Sequence, residues 1–384
     1  MAILWMEGFD PYGTNNLLLT NGENWASNDD DRWETVTSQA RTGQYSTFRD
    51  AVAIDRNALR RILGKSVTTV GVGVGVWFTE LPKYSTDHVL YSLHDSEGRT
   101  NIGLLIESTG AISVLRGHAN DTGQEVIFGT VLSRTAVPAI RAKCWNYIEA
   151  KYVFDTVNGS VEVRVNGVTV LALSGVDTVA KASDHISSSD EGDCNAEASR
   201  LDFYFGSNTG SSNAQVALRD RYIDDVVVWD DSGSTNNDFL GDIRVRHLKP
   251  TADTAQADWT PLSGSGFSNI DDMPGTDDGT TYVSVGVPGS PTELSSEFEL
   301  DDLATTTGRV LAVSPVSRVR KTEAGVAAYQ HGIISGATEE MGAVKTLSVD
   351  YNYVEDVMQV NPDTGSEFTA AEVNSLKLKI NRVT

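Results

Sequence analysis

Hydrophobic and polar positions alternate with a period of two along most of this chain. The run VGVGVGVWF (70–78) sets Val72, Val74, Val76 and Phe78 on one face and Gly71, Gly73, Gly75 and Trp77 on the other. That predicts a strand whose glycine face lets another group approach closely. HVLYSLHD (88–95), IGLLIES (102–108) and AISVLRG (111–117) follow, separated by the turn-forming SEGRTN and STG. They predict consecutive antiparallel strands. WNYIEAKYVFD (145–155) and SVEVRVNGVTVLAL (160–173) predict hairpins turning at Asn158-Gly159 and Asn166-Gly167, since Asn and Gly tolerate the positive φ of a tight turn. RLDFYFGS (200–207) and YIDDVVVWD (222–230) add two more strands, and the polar stretch 174–200 reads as a long loop.

After residue 231 the pattern breaks. DSGSTNNDFLGD is rich in Ser, Asn, Gly and Asp, and residues 232–242 read as a linker between a first domain, 1–231, and a second, 243–384. Strand-like runs resume with IRVRHLKP, TYVSV, SEFELDDL, GRVLAVSPVSRVRK, VAAYQHGIIS, KTLSVDYNYVED and LKLKINRV. TAAEVNSL (369–376) is the exception, a helical turn with Thr369 as N-cap and Glu372 at the capping-box position. The fold class expected is all-β: two tandem antiparallel β-sandwiches of jelly-roll type.

A hydrophobic content of 40% can supply real cores. A formal charge of −23 repels phosphate backbones, so no nucleic-acid partner is expected. The densest basic stretch, RNALRRILGK (56–65), is short and reads as a surface segment. Cys144 and Cys194 lack CxxC spacing, which excludes a zinc ribbon or a disulfide framework while leaving one pair open. The opening MAILWMEGFDPYG has no basic region followed by a long apolar run, so neither a secretory signal nor a membrane partner is expected.

Glu297, Glu299 and Asp301 in SSEFELDDL alternate as the acid and the base or nucleophile of a glycanase would. Any half-buried strand with Phe298 and Leu300 inward produces the same triplet, so no catalytic residue is assigned. LGKS (63–66) matches the end of a phosphate-binding loop, but Leu59 occupies the required glycine position. His88, His94, His118, His185, His247 and His331 form no zinc motif. The loops NDDD (28–31), SSSDEGD (187–193) and NIDDMPGTDDG (269–279) are oxygen-rich without EF-hand spacing. No cofactor is therefore expected, with calcium the one cation such loops could take. Among rings that could stack on sugars, Trp25, Trp33 and Trp259 lie in polar surroundings, whereas Trp77, Trp145 and Trp229 sit in strands and read as core. The acids Asp224 and Asp225 read as edge or turn residues that accept neighbouring backbone amides.

The succession of WNYIEAKYVFD, NGSVEVRVNGVTVL and a closing YIDDVVVWDD resembles the concanavalin A-like, laminin-G-type jelly-roll over residues 1 to about 231. The opening ILWMEGFDPY, the junction DDSGSTNNDFLGDIRVRHLKPTADTAQADWTP and the tail VNPDTGSEFTAAEVNSLKLKINRV resemble virion structural proteins of tailed bacteriophages, of the fibre, spike or capsid-decoration type. That resemblance implies a non-enzymatic protein assembled in the host cytoplasm and displayed on the virion exterior. Its implied partners are other virion proteins, a symmetric homo-oligomer with a trimer favoured, and host surface glycans. A jelly-roll glycan depolymerase and a free carbohydrate-binding module are the alternatives.

Overall fold

The computed structural model describes residues 2–13, 25–27, 33–49, 58–82, 88–117, 129–185, 192–203, 221–271, 280–286, 294–304 and 308–383. Two compact units emerge: Met1–Phe9 with Asn15–Val245, and Asp10–Thr14 with Arg246–Thr384.

The first unit is a β-sandwich of jelly-roll type. Its strands are β1 (Ile3–Glu7), β2 (Ala26–Ser27), β3 (Trp33–Val36), β4 (Ser46–Arg49), β5 (Leu59–Val67), β6 (Thr69–Phe78), β7 (His88–His94), β8 (Thr100–Ile106), β9 (Ile112–Arg116), β10 (Thr130–Arg134), β11 (Trp145–Val153), β12 (Gly159–Val165), β13 (Val168–Val176), β14 (Ala198–Phe203) and β15 (Arg221–Trp229). One sheet runs β13-β12-β11-β6-β15-β4-β3, with β1 also paired to β15. The other runs β10-β9-β8-β7-β14-β5-β2. Every pairing is antiparallel, so period-two alternation gives each strand one face toward the facing sheet. Val70, Val72, Val74 and Val76 of β6 and Ile148, Ala150 and Tyr152 of β11 supply one side of the core, and Tyr91, Leu93, Ile102 and Leu104 the other. The buried Tyr91 and Tyr152 hydroxyls, one from each sheet, join at 2.8 Å, which satisfies two polar atoms that burial would otherwise strand.

The predicted meander and hairpins are present. Asn166 and Gly167 carry φ of 50° and 80° in the turn between β12 and β13. The preceding hairpin turns a residue or two earlier than its Asn-Gly pair suggests, because Asp155 Oδ1 accepts the Val157 and Asn158 amides, each at 2.7 Å. The basic stretch 56–65 is more than surface: from Leu59 it forms β5, paired on both sides by β14 and β2.

The second unit is also antiparallel β. It contains β16 (Pro250–Ala257), β17 (Thr260–Pro261), β18 (Val283–Ser284), β19 (Leu294–Leu300), β20 (Val316–Val319), β21 (Ala328–Ser335), β22 (Thr338–Met341), β23 (Lys345–Thr346), β24 (Asn352–Glu355) and β25 (Lys377–Val383). The main sheet runs β16-β19-β25-β21-β22, with β23 on β21, and the pairs β17-β18 and β20-β24 form separate ribbons. Phe298, Tyr329, Leu347, Val354 and Ile380 form one core cluster, and Ile333, Met358, Phe368, Val373 and Leu376 another. The single turn of helix α1 (Ala370–Val373) is capped by Thr369, and Glu372 closes the box as its spacing predicts.

Candidate functional site

The glycine face of β6 carries the most developed polar assembly of the first unit. A Cβ on Gly71 would lie 2.0 Å from the Trp229 indole, one on Gly73 2.4 Å from the Tyr147 hydroxyl, and one on Gly75 2.7 Å from Arg41 Cδ. Three large side chains are thus laid across the strand where no side chain stands, and this is the close approach that the glycine alternation predicts.

Asp224 and Asp225 sit beside Arg41 within β15, not at its edge. The register of β15 on β6 gains a residue between Asp224 and Val227, and Asp225 adopts φ of 50°. Such a bulge re-aims side chains, and Asp is among the few residues that tolerate the left-handed region. Asp224 accepts the Arg41 and Thr42 amides at 2.8 and 3.1 Å and the Asp225 amide at 2.8 Å. Asp225 accepts the Val245 amide at 2.7 Å, the Thr42 hydroxyl at 2.8 Å and the Arg41 guanidinium. Arg41 further donates to Ile243 O at 2.7 Å, pairs with Asp242, and lies 4.7 Å over the Tyr147 ring.

These contacts bind the polar segment after β15 onto the sheet as a strap. Glu149 accepts the Leu240 and Gly241 amides, Lys151 reaches Asp238 at 3.0 Å, and Phe239 lies between Trp229 and the Arg164 guanidinium. Burial raises the affinity of Glu149, Asp224 and Asp225 for protons, whereas at Asp238 burial is outweighed by the Lys151 hydrogen bond and charge, which hold the carboxyl low. Glu149 is pushed up to about 7, chiefly by desolvation. Asp224 and Asp225 are both raised by burial, and Asp224 also by the neighbouring carboxylate. The Tyr147 phenol is raised for the same reason.

The facing sheet holds a second buried polar group. Asp202 is fully buried and paired with Arg60 at 3.3 Å, Arg200 at 3.0 Å and His94 at 3.4 Å. Ser92 Oγ also meets His94 Nε2, at 2.7 Å. A nucleophile and its orienting carboxylate must address opposite ring nitrogens; here both face Nε2, so this set ties strands together.

In the second unit, Asp356 lies 3.3 Å from His331 Nε2 and Ser317 Oγ 2.8 Å from Nδ1. Opposite nitrogens are used, as a relay requires, but His331 is fully buried and Ser317 Oγ also accepts the buried Tyr329 hydroxyl at 2.8 Å. The chain of bonds points inward and pins the β20-β24 ribbon to β21. Phe298 is buried, while Glu297 and Glu299 lie on the opposite, polar face of β19, Glu297 3.9 Å from Lys379. Asp301 accepts the Lys249 amide at 2.6 Å.

Among the described residues no group of three or more His, Cys, Asp or Glu could hold a metal ion. The calcium candidates 28–31, 187–191 and 272–279 lie outside the described residues, as does His118. Cys144 and Cys194 are not joined in a disulfide, the first exposed and the second buried, with Cys194 Sγ 3.6 Å from His185 Nε2. No described helix is long and apolar enough to cross a membrane.

The tryptophans correct the sequence reading. Trp25 is fully buried against Trp5 and Phe9, and Trp259 packs on Tyr329 and donates to Leu294 O at 3.1 Å. Trp77 and Trp145, expected in the core, are half-buried. They share the glycine face, so the valines that alternate with them take the core positions. Of Trp33 only the backbone, in β3, is described.

No protein-family profile and no curated protein matches the sequence. Among solved structures, the chain is similar to a sialidase (12% identity, TM-score 0.36, 59% of this chain and 18% of that one). It is also similar to the carbohydrate binding module CBM66 from Bacillus subtilis (8%, 0.29, 54% and 96%) and to an endo-1,3-beta-glucanase from Streptomyces sioyaensis (12%, 0.35, 59% and 94%). The chain spans less than a third of the length of the sialidases it matches. Likenesses this distant concern the β-sandwich and do not bear on activity.

Proposed function

We propose that this chain is a non-enzymatic surface structural protein of a tailed-bacteriophage virion, displayed on the particle exterior and able to contact host glycans. The observation that carries the reading is the use made of the junction that resembles phage structural proteins. The Asp224-Asp225 pair that precedes it, the strongest candidate for acid chemistry in the first unit, is consumed by Arg41, Thr42 and, from the junction itself, Val245 in fastening the strap. Carboxylates that accept amides on several sides are held for position and have no free face for a substrate. The net charge of −23 suits an exterior location and is awkward beside packaged DNA.

The depolymerase alternative would place acid and base at Glu297 and Glu299, which occupy the polar face of β19 beside Lys379. A free carbohydrate-binding module would share the fold but not the particle. Cryo-electron microscopy of purified virions, with mass spectrometry of their components, separates these readings. Density for the chain at symmetric exterior positions, in a closed homo-oligomer such as a trimer, is the expected result. A chain found free in the lysate and missing from particles, or one that releases reducing ends from host polysaccharide, would sink the proposal.

A further inference from the structure

One row of the outer sheet face is left uncovered by the strap. Along β6 the glycine face runs Gly71, Gly73, Gly75, Trp77, and the strap and its anchors cover the first three positions. At the fourth the register sets Trp145 of β11 opposite Trp77 of β6, Trp77 opposite Tyr222 of β15, and Tyr222 opposite Phe48 of β4. Four adjacent strands therefore contribute four aromatic side chains to a single row, and all four are half-buried. Three inter-strand steps span roughly 14 Å, the length of a short oligosaccharide and too long for one ring.

The geometry points to a glycan-binding face at Phe48, Tyr222, Trp77 and Trp145 that takes a neutral, twisted oligosaccharide segment. Ring faces carry negative potential and attract the polarised C–H bonds of a pyranose, and aromatic walls with few polar groups are common features of small-molecule sites. The row is not a flat plate. Phe48 and Tyr222 are 31° apart at 5.0 Å between centroids, while Trp77 stands at 79° to Tyr222 at 5.3 Å. Adjacent strands are also rotated by about 20–25°. A flat crystalline polysaccharide needs coplanar rings, so a single twisting chain fits better. Charge selects the ligand further: a molecule of −23 repels polyanionic glycans at a distance, and Arg41 beside the row is already occupied by Asp225 and Asp242. The row continues on β3 with Glu34 opposite Phe48, a carboxylate that suits sugar hydroxyls better than an apolar protein surface.

The assignment deepens the proposed glycan contact and rests on that reading only for where the glycan is met. The test uses the full chain on an array of neutral and acidic bacterial surface polysaccharides, with cellohexaose and maltohexaose as soluble probes followed by tryptophan fluorescence. Saturable binding to at least one neutral glycan is expected, weakened about tenfold by Trp77→Ala and by Trp145→Ala and largely kept by Trp77→Phe, with circular dichroism showing each variant folded. Binding to no neutral glycan overturns the assignment, as does binding to acidic glycans alone or binding that folded Trp145→Ala and Trp77→Ala variants leave unchanged. So does a photo-crosslinker at position 77 that captures a virion protein in place of sugar. Particle incorporation of the same variants is scored separately: a chain absent from particles refutes the virion reading and leaves the glycan result standing.

Discussion

Replacing Gly71 with alanine tests whether the glycine face of β6 is a steric requirement. The new Cβ would lie 2.0, 2.2 and 2.4 Å from three carbons of the Trp229 indole, where ordinary carbon contacts are about 3.5–4 Å. The ring would have to retreat by about 1.5 Å, yet it is 1% exposed and packed against Phe239. Overpacking of a rigid core costs about 1–3 kcal/mol, occasionally more, and a displaced buried indole puts this site near the top, at about 3 kcal/mol. For a unit of this size each kcal/mol moves the midpoint about 2–4 °C, which gives a fall of about 6–12 °C in the melting of the first unit. The control is Gly103→Ala in β8, whose Cβ would meet nothing closer than Leu105 Cδ1 at 3.7 Å and which should change stability by less than about 1 kcal/mol. Urea and thermal unfolding, followed by tryptophan fluorescence, compare the two. If Gly71→Ala melts with Gly103→Ala, the indole is not held where the packing places it and the steric argument fails.

Arg41→Ala removes the nearer of two guanidinium groups facing the fully buried Asp225, the other being Arg244 at 3.6 Å, and should cost up to about 3 kcal/mol; it should also speed tryptic cleavage after Arg244 in the strap, and a wild-type cleavage rate would contradict the latch. The stability of the first unit should fall as pH rises from 5 to 7. Glu149 is held at about 7 in the fold and titrates near its ordinary value when unfolded, so the native state holds an extra proton between those two values and the loss levels off above pH 7. Glu149→Gln keeps an acceptor for the Leu240 and Gly241 amides and should flatten the slope by up to about 1.4 kcal/mol per pH unit; unchanged pH dependence of unfolding would refute this. Ellman titration of the native chain should find one fast thiol, Cys144, with Cys194 reacting only on denaturation, and two fast thiols would refute the burial of Cys194.

Alternation revealed most strands because the core face carries large apolar side chains while the other carries mostly small or polar ones, even in β6 and β8, which are buried on both sides, and it even announced the close approach at Gly71, Gly73 and Gly75. It was silent about β5, where Arg60, Arg61 and Lys65 obscure the period: Arg60 turns to the buried Asp202, Arg61 stacks over Trp5, and Lys65 reaches Asp230. Trp25 looked exposed because its sequence neighbours are polar, although its spatial neighbours are Trp5 and Phe9. The aromatic row was divided among four segments, and only register joins Phe48 to Trp145. The role of Asp224 and Asp225 was half legible. Acceptance of backbone amides follows from their chemistry, but Arg41 lies 183 residues from Asp224, and no local pattern marks it as their partner.

The place of β15 in its sheet has a consequence for how the protein is made. One edge of β15 pairs with β6, and its other edge is shared by β4 and β1. A ribosome has therefore released every other strand of that sheet before the one that joins its two halves exists. In the facing sheet β14 does the same between β7 and β5. Until about residue 229 leaves the exit tunnel, the valine-rich edge of β6 has no partner on that side, and such edges invite pairing between chains. Folding of the first unit is then a late event dominated by long-range pairings, which are slow to form. A nascent chain stopped before residue 221 should aggregate, whereas one extended through the strap should fold.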